Sequence, residues 1–388
     1  MRGRMLWRAV GAAVAAGCAV APAPASADDA RIATGHAHTC VLQGDGRVLC
    51  VGANGQGQLG NSSFIDSRTP VVVRGLEDAA GVAAGRERSC AVTRDGGAWC
   101  WGANAFGELG DGTTTFRTRP VRFRARAQDG SSRPLAGATA IDTGWSSTCA
   151  LADGRVWCAG SDEHGQLGSE PPRSSAQPLA LPVPLDGVVA HAVGTHHACA
   201  VRDDGTVWCW GSNRAGQAGG ATATCDAQAP CAPTPIRVEG VSGATAVSAG
   251  FRHTCALRRD GAVLCWGSSA DPLATGPSAP AVVLEGATSV TAGLDLTCAT
   301  RTDGSLTCWG RNVSGQLGRG TVSPFEPAAP ALIQPAVRGV SAGWEHTCAR
   351  RQDEVVWCWG NGTSGELGYR PAAFGFSSIP TATPMRAG

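Results

Sequence analysis

The 388-residue sequence predicts an all-β protein, a seven-bladed β-propeller built as a single repeat ring. Three observations carry this. A hairpin marked by two cysteines recurs seven times: Cys40 with Cys50, Cys90 with Cys100, Cys149 with Cys158, Cys199 with Cys209, Cys255 with Cys265, Cys298 with Cys308, and Cys348 with Cys358. Self-similarity at a period of about fifty residues marks a solenoid, propeller or array. Each copy also reads as four short strands, and seven four-stranded units close into a ring that leaves only short, protected sheet edges. Finally, Gly 54 and Pro 23 accompany only 16% charged residues, with no sustained helical period, which excludes a helical bundle and a disordered chain.

The chain starts with a segment of another kind. Arg2, Arg4 and Arg8 precede the apolar run Ala9 to Val20, and Ala25-Ser26-Ala27 offers a small-residue cleavage point before Asp28. That is the pattern of a secretory signal over residues 1–27, so the propeller is expected over 28–388 in an exported protein, secreted, periplasmic or on the cell surface, with no transmembrane span. A competing reading takes Ala15-Ala16-Gly17-Cys18 as a lipobox, ends the signal at residue 17 and makes Cys18 a lipid anchor. Lys+Arg 32 against Asp+Glu 31, every basic residue an arginine, removes the global electrostatic case for nucleic acid as a partner.

Within a unit the order is constant. In the second copy, strands are expected at Val82 to Gly85, Ser89 to Val92, Ala98 to Gly102 and Pro120 to Phe123, with a turn at Asp95-Gly96 and a glycine-rich loop from Asn104 to Gly110. Six units separate the paired cysteines by ten positions, which fits a three-residue loop such as Arg94-Asp95-Gly96 with the glycine left-handed. The third unit is one residue shorter, and its Asp153-Gly154 fits a two-residue primed turn. Both registers set the cysteines directly opposite, about 4.5 to 5.5 Å apart at Cα, within reach of a disulfide. The seventh unit has Asp353-Glu354 where the others have Asp-Gly, so its turn is expected to be the most strained.

In an oxidising compartment such pairs should be bonded. Each closes a ring worth about 2.7 kcal/mol by the chain-entropy model. Of the seventeen cysteines, Cys225 and Cys231 remain and are expected to pair inside an extra loop. A zinc site is the rival reading, but Cys-x5-Cys without a nearby His matches no standard ligand spacing. Nine of the twelve tryptophans flank the second cysteine of a unit (Trp99, Trp101, Trp157, Trp208, Trp210, Trp266, Trp309, Trp357, Trp359) and should pack between blades.

The loops Gly52-Ala53-Asn54-Gly55-Gln56-Gly57-Gln58-Leu59-Gly60 and Gly310-Arg311-Asn312-Val313-Ser314-Gly315-Gln316-Leu317-Gly318, with the Trp-Cys-Trp-Gly and His-Thr-Cys-Ala-Leu segments before them, resemble the regulator of chromosome condensation (RCC1-type) repeat. The resemblance spans residues 30 to 386, and only the fifth unit, Gly267 to Gly276, lacks the loop. It implies a propeller of RCC1-like repeats, and it points to the exported bacterial branch, which includes a proteinaceous inhibitor of β-lactamases. Guanine-nucleotide exchange on a nuclear GTPase of the Ran type is not carried over. An exported protein does not meet that partner, and no exchange wedge matches residue by residue.

Chemistry is sparse. His38, His197, His253 and His346 stand two places before the first cysteine, where the other units have Arg88, Ser147 and Leu296. Taken as coming from nonadjacent blades, they are too far apart to share a metal ion and read as packing. Asp45, Asp95, Asp204, Asp260 and Asp303 are turn residues, without the alternating oxygens of a calcium loop. No nucleophile elbow, metalloprotease helix or phosphate loop occurs. No catalytic residue, cofactor or metal is therefore expected.

Two departures from the repeat remain, at 117–138 and 219–235. The first carries Arg117, Arg119, Arg122, Arg124, Arg126 and Arg133. These form either an edge strand with Val121, Phe123 and Ala125 facing in, or a partner-binding patch. The second is the loop pinned by Cys225 and Cys231. The functional expectation is a monomeric, non-catalytic scaffold binding an unidentified protein or other macromolecule through loops on one face. The alternatives are a propeller lyase or hydrolase at the central channel, an inhibitor of an extracellular enzyme, and a structural envelope protein. The C-terminal strand near Thr383-Pro384-Met385 repeats Thr69-Pro70-Val71, so it should edge blade seven or complete the first sheet, and deleting 377–388 is expected to open the ring.

Overall fold

The computed structural model describes residues 31–169, 176–220, 223–225, 229–268, 278–331, 337–368 and 378–385. The signal segment 1–27 with Cys18 and most of the fifth unit's loop lie outside the described residues. Seven sheets, antiparallel but for one pairing in the third, follow one another along the chain, each made by a continuous stretch. Blade one is typical, with an inner strand Ile32–Thr34, a central hairpin His38–Leu42 and Val48–Gly52, and an outer strand Ser67–Val72. The inner strands of the other blades are Ala79–Ala84, Ala138–Thr143, Val188–Val193, Ala244–Ala249, Ala287–Ala292 and Val337–Ala342.

The hairpin register is as expected. Cys40 faces Cys50, Cys90 faces Cys100, Cys199 faces Cys209, and Cys255 faces Cys265. Cys298 faces Cys308, Cys348 faces Cys358, and across the shorter turn Cys149 faces Cys158. All seven cross-strand pairs hold their sulfurs at disulfide distance, with Cα atoms 4.0–4.1 Å apart. That is closer than the separation expected of opposed residues. Cys225 and Cys231 also lie at disulfide distance, with Cα atoms 5.7 Å apart. Gly96 is left-handed at φ 79°, Asp153 and Gly154 form the primed turn at 50° and 71°, and Glu354 occupies the glycine place of blade seven at 65°. A side chain there carries a strain that glycine avoids.

The core is divided among the seams. Among the described residues seven apolar clusters occur, one between each adjacent pair of blades, and strand alternation explains them. Cys40 and Cys50 look toward blade two, while Trp101 of blade two looks back toward blade one. Its indole Nε1 donates to the Gln58 carbonyl in the glycine-rich loop of blade one, and Trp210, Trp266 and Trp359 repeat this with Gln166, Gln217 and Gln316. Large and small side chains share the space below several of the loops. Beneath Gly60 lie Trp101 and Val73. Where blade three has Ala159 in place of the tryptophan, Phe123 fills the gap under Gly110, and where blade one has Val51, Met385 fills it under Gly368.

Of the two arrangements left open by the sequence, the structure has the first, with the C-terminal strand edging blade seven. Ser378–Pro384 is the outer strand of blade seven, and blade one is complete without it. The ring closes at its inner rim instead. The N–H of Thr34 donates to Ser341 Oγ at 3.0 Å, and that of Trp344 to the Gly35 carbonyl at 3.4 Å. Seven glycines (Gly35, Gly85, Gly144, Gly194, Gly250, Gly293, Gly343) make this approach possible, because a Cβ on each would lie 1.9–2.6 Å from the carbonyl oxygen of the next one round the ring. Deleting 377–388 would therefore strip the outer edge of blade seven and take Met385 from the seam between blades seven and one.

The two insertions thicken the wall. Arg124–Arg126 and Ser132–Pro134 form a hairpin that joins blade three, where Ala125 pairs in parallel with Ala180 of the outer strand. Blade three thereby has six strands. Ala223–Thr224 adds a fifth strand to blade four beside Pro230–Arg237.

Candidate functional site

The turn between inner and second strand and the glycine-rich loop emerge at the same end of every blade, since Ala53 N–H bonds the Ala37 carbonyl and Ala103 N–H that of Glu87. This end is the loop face; the Asp-Gly turns lie at the other. The loops are set by their own side chains. Asn54 Oδ1 accepts from Leu59 N–H and Gln58 Oε1 from Gln56 N–H, and Asn312 and Gln316 do the same in blade six.

Along the axis runs a cavity of about 420 Å3, lined by the inner strands and bounded at the loop face by Trp145 and Trp344. The residue after each inner glycine stands at this mouth. Trp145 of blade three and Trp344 of blade seven stack at 4.7 Å and 29°, with His36 against Trp344 at 4.3 Å and the Arg86 guanidinium over Trp145 at 4.1 Å. His196 lies 6.1 Å from Trp145 and meets His164 edge-on at 4.8 Å. Sequence reasoning missed this cluster because it followed the hairpin tryptophans; Trp145 and Trp344 sit outside that position. The available signal was internal. Between the repeated Gly and Cys, the mouth position differs from copy to copy, with His36, Arg86, Trp145, Thr195, Phe251, Leu294 and Trp344.

Arg88 fixes the backbone beneath Trp145. Fully buried, it donates to the carbonyls of Gly144, Trp145 and Ser147 and to Thr148 Oγ1, and Glu108 lies 3.7 Å away. The four histidines of the repeat do comparable work between blades. Nε2 of His38, His197, His253 and His346 bonds Ser89, Thr254, Thr297 and Thr39 respectively, at 2.8–2.9 Å. Burial pushes the pKa of His38, His197 and His346 down to about 3 and that of His253 to about 4. The expectation that they come from nonadjacent blades is corrected. His197 and His253 belong to neighbouring blades, as do His346 and His38, and the repulsion of His253 adds to the depression of His197 as that of His38 adds to His346. Among the described residues no cluster of three or more His, Cys, Asp or Glu could hold a metal ion.

Inside the cavity, burial raises the Asp142 pKa and lowers that of His191. Both are committed to holding blades three and four together. Asp142 accepts from the N–H groups of Thr143 and Val193, and His191 Nε2 bonds the Cys149 carbonyl.

The six arginines do not form one surface. Arg117 pairs with Asp111 at 2.6 Å, and Arg119 bonds Ser62 Oγ, tying blade two to the loop of blade one. Arg122 covers the Trp99 ring at 4.1 Å, and Arg124 bonds Ser132. Arg126 and Arg133 are exposed, while Phe123 and Ala125 are buried and Val121 packs on the same cluster. The other exposed feature is apolar. Phe64 and Ile65, 55% and 77% exposed, lie in the loop segment of blade one that Arg119 ties, and Phe116 at 43% lies in the equivalent segment of blade two, at the position of Asp66.

Fold and loop face together define a closed propeller that presents a rigid, unequal set of side chains on one side. The chain belongs to the RCC1-like domain family, whose model matches residues 123–385, and repeats of the regulator of chromosome condensation match 45–92, 30–58 and 80–108. It is 28% identical over 239 residues to the ultraviolet-B receptor UVR8 of Arabidopsis thaliana, covering 61% of this chain and 52% of that protein. It is 35% identical over 119 residues to the human regulator of chromosome condensation, covering 30% and 27%. The matches thus span about half the length of these relatives or less. Among solved structures, Prp20p of Saccharomyces cerevisiae, described with its binding to Gsp1p and histones, superposes with a TM-score of 0.70 at 18% identity, covering 87% and 85% of the two chains. The same yeast protein bound to Kap60 gives 0.74 at 17%, covering 99% and 91%. These likenesses establish the fold. Among the described residues no helix is long and apolar enough to cross a membrane.

Proposed function

We propose that the protein is an exported, non-catalytic scaffold that binds another protein through its loop face. The carrying observation is the apolar group Phe64, Ile65 and Phe116 on adjoining blades, held by Arg119 and by the Ser62 N–H bond to the Thr118 carbonyl. Exposed large apolar side chains on a rigid support mark interaction sites. Binding roles in the family agree, as with the histone and Gsp1p binding of Prp20p. Eight cysteine pairs at disulfide distance support export, since such density suits an oxidising compartment.

The test is crosslinking in the native envelope with the unaltered chain and with Phe64→Ser, Ile65→Ser and Phe116→Ser combined. These side chains are exposed, so folding should change by no more than about 0.5 kcal/mol per site. Loss of a captured protein with an unchanged melting curve is expected. An unaltered captured set would refute the assignment. Replacing Arg122, Arg124 and Arg126 by Ser in parallel asks whether the outer arginines contribute.

A further inference from the structure

The channel wall carries a polar belt. Asp142, Ser248, Thr291 and Ser341 take the same place on the inner strands of blades three, five, six and seven, where blades one, two and four hold Ala33, Ala83 and Ala192. All four line the cavity and are half-buried. Each accepts a backbone N–H of the next blade: Asp142 Oδ2 from Val193, Ser248 Oγ from Ala292, Thr291 Oγ1 from Ala342 and Ser341 Oγ from Thr34. Those bonds leave capacity unused. A carboxylate has about four lone-pair sites, and Asp142 fills two of them, the second with the Thr143 N–H. His191 stands in the same seam and donates from Nε2 to the Cys149 carbonyl, so its neutral ring keeps a lone pair at Nδ1, which is buried without a partner. Small apolar side chains such as Ala80, Val82, Ala84 and Val290 line other parts of the wall.

This arrangement selects a ligand class. The unused sites are acceptors around one negative charge, since Asp142 is the sole acidic side chain among the lining residues described. Arg88, whose field reaches Asp142, is engaged by Glu108 and three carbonyls, and Arg86 stands at the mouth over Trp145. An anion would be repelled by Asp142. A divalent metal would find one carboxylate and one imidazole, too few protein ligands for a site. The second charge of a diamine would lie unpaired. A wholly apolar ligand would cover the belt without bonding it, which costs about 1–3 kcal/mol per group. A primary ammonium meets every demand, because it brings one positive charge and three N–H donors on a body that can pack against alanine and valine. The cavity's 420 Å3 lies within the roughly 300–1,000 Å3 of small-ligand sites.

We propose that the central channel is a binding site for a small primary amine, its ammonium held at Asp142 within the belt and its apolar body along the alanine and valine wall. This goes beyond the protein-binding reading and does not depend on it, since the channel and the Phe64 group are separate surfaces. The experiment is calorimetric titration of the full chain with cyclohexylamine and benzylamine, each to about 10 mM, beside cyclohexanol and calcium chloride. At least one amine should bind with a Kd near 1 mM or below, and cyclohexanol about tenfold more weakly or not at all. Asp142→Ala, which installs the residue of blades one, two and four, should weaken the amine about tenfold or more at a retained melting transition. If that variant fails to fold, Ser248→Ala with Thr291→Ala locates the site, and the amine–alcohol comparison needs no variant. Absence of amine binding overturns the proposal, as does equal binding of the alcohol or binding indifferent to these variants. Calcium binding that Asp142→Ala abolishes, with both amines silent, would make the belt a metal site and overturn it equally.

Discussion

Mild acid should destabilise this ring sharply through four histidines. His38, His197, His253 and His346 are buried between blades, with pKa values of about 3, 3, 4 and 3 against 6.5 in an unfolded chain. A folded pKa below the unfolded one means that unfolding takes up a proton, so stability is full above pH 6.5 and falls as pH drops toward the folded value. At pH 5 each histidine has forfeited about 2 kcal/mol, together about 8, most of the 5–15 kcal/mol typical of a folded domain. Glu366 opposes the trend. Burial raises it to about 7, so protonation on going from pH 7 to 5 returns about 2 kcal/mol and leaves a net loss of about 6. Urea unfolding at pH 7, 6 and 5 with the bridges intact measures this, since the slope of free energy against pH counts protons. A net uptake of about three near pH 5.5 is expected from these five groups, and about four once His196 is counted, whose pKa burial lowers to about 4. His253→Leu should reduce it by one, Leu being what blade six holds at the same place in Leu296. A slope below one proton, or one unchanged in that variant, would refute the reasoning.

Four further outcomes follow from the seams. Glu366→Gln, which restores the residue of Gln58 and Gln316, should stabilise the protein by about 3 kcal/mol at pH 8 and hardly at all at pH 4.5, read by denaturant midpoints at the two pH values. Gly144→Ala would place a Cβ 1.9 Å from the Gly194 carbonyl, an atom that cannot move away alone, and should cost at least about 3 kcal/mol in thermal unfolding. Phe123→Val and Ala159→Trp should each destabilise, by about 2 kcal/mol for the first, while the double variant regains most of the loss because it rebuilds the Trp101–Val73 pairing; additivity in the cycle would reject the size-compensation account. Intact mass before and after reduction should differ by sixteen hydrogens for the eight bridges.

What the sequence made legible was local. Register follows from hairpin geometry, so Cys149 still faces Cys158 across a shorter turn, and the left-handed place in blade seven falls on Glu354 as the missing glycine requires. What it hid was long-range. The hairpin near Ala125 could be read as an edge with Phe123 facing in, but joining blade three rests on one parallel pairing with Ala180, fifty-five positions on, which no periodicity encodes. Closure was hidden for the same reason. The seven inner glycines look like turn residues in one dimension, and only in the ring does each prove to sit against the carbonyl of the next.

Departures from the repeat occur around the ring, as with Val51, Leu296 and Glu366, but one group of them is gathered. Blade two replaces the seam histidine by Arg88 and the loop glutamine by Glu108, and blade three has Asp142, Trp145 and Ala159 at places filled elsewhere by small, variable and tryptophan residues. Blade four adds His191 where its siblings have Val or Ile. All lie in the two consecutive seams around blade three. Stability alone does not explain them, because a buried ion pair usually breaks even at best against apolar or neutral partners of similar shape. The His–Ser and His–Thr links of other seams, such as His38 with Ser89, hold blades together without charge. What Arg88 does that a histidine could not is reach three carbonyls at once, at 2.8–3.0 Å, along the turn that carries Trp145. The cost of burying charge is therefore spent on the placement of one mouth residue.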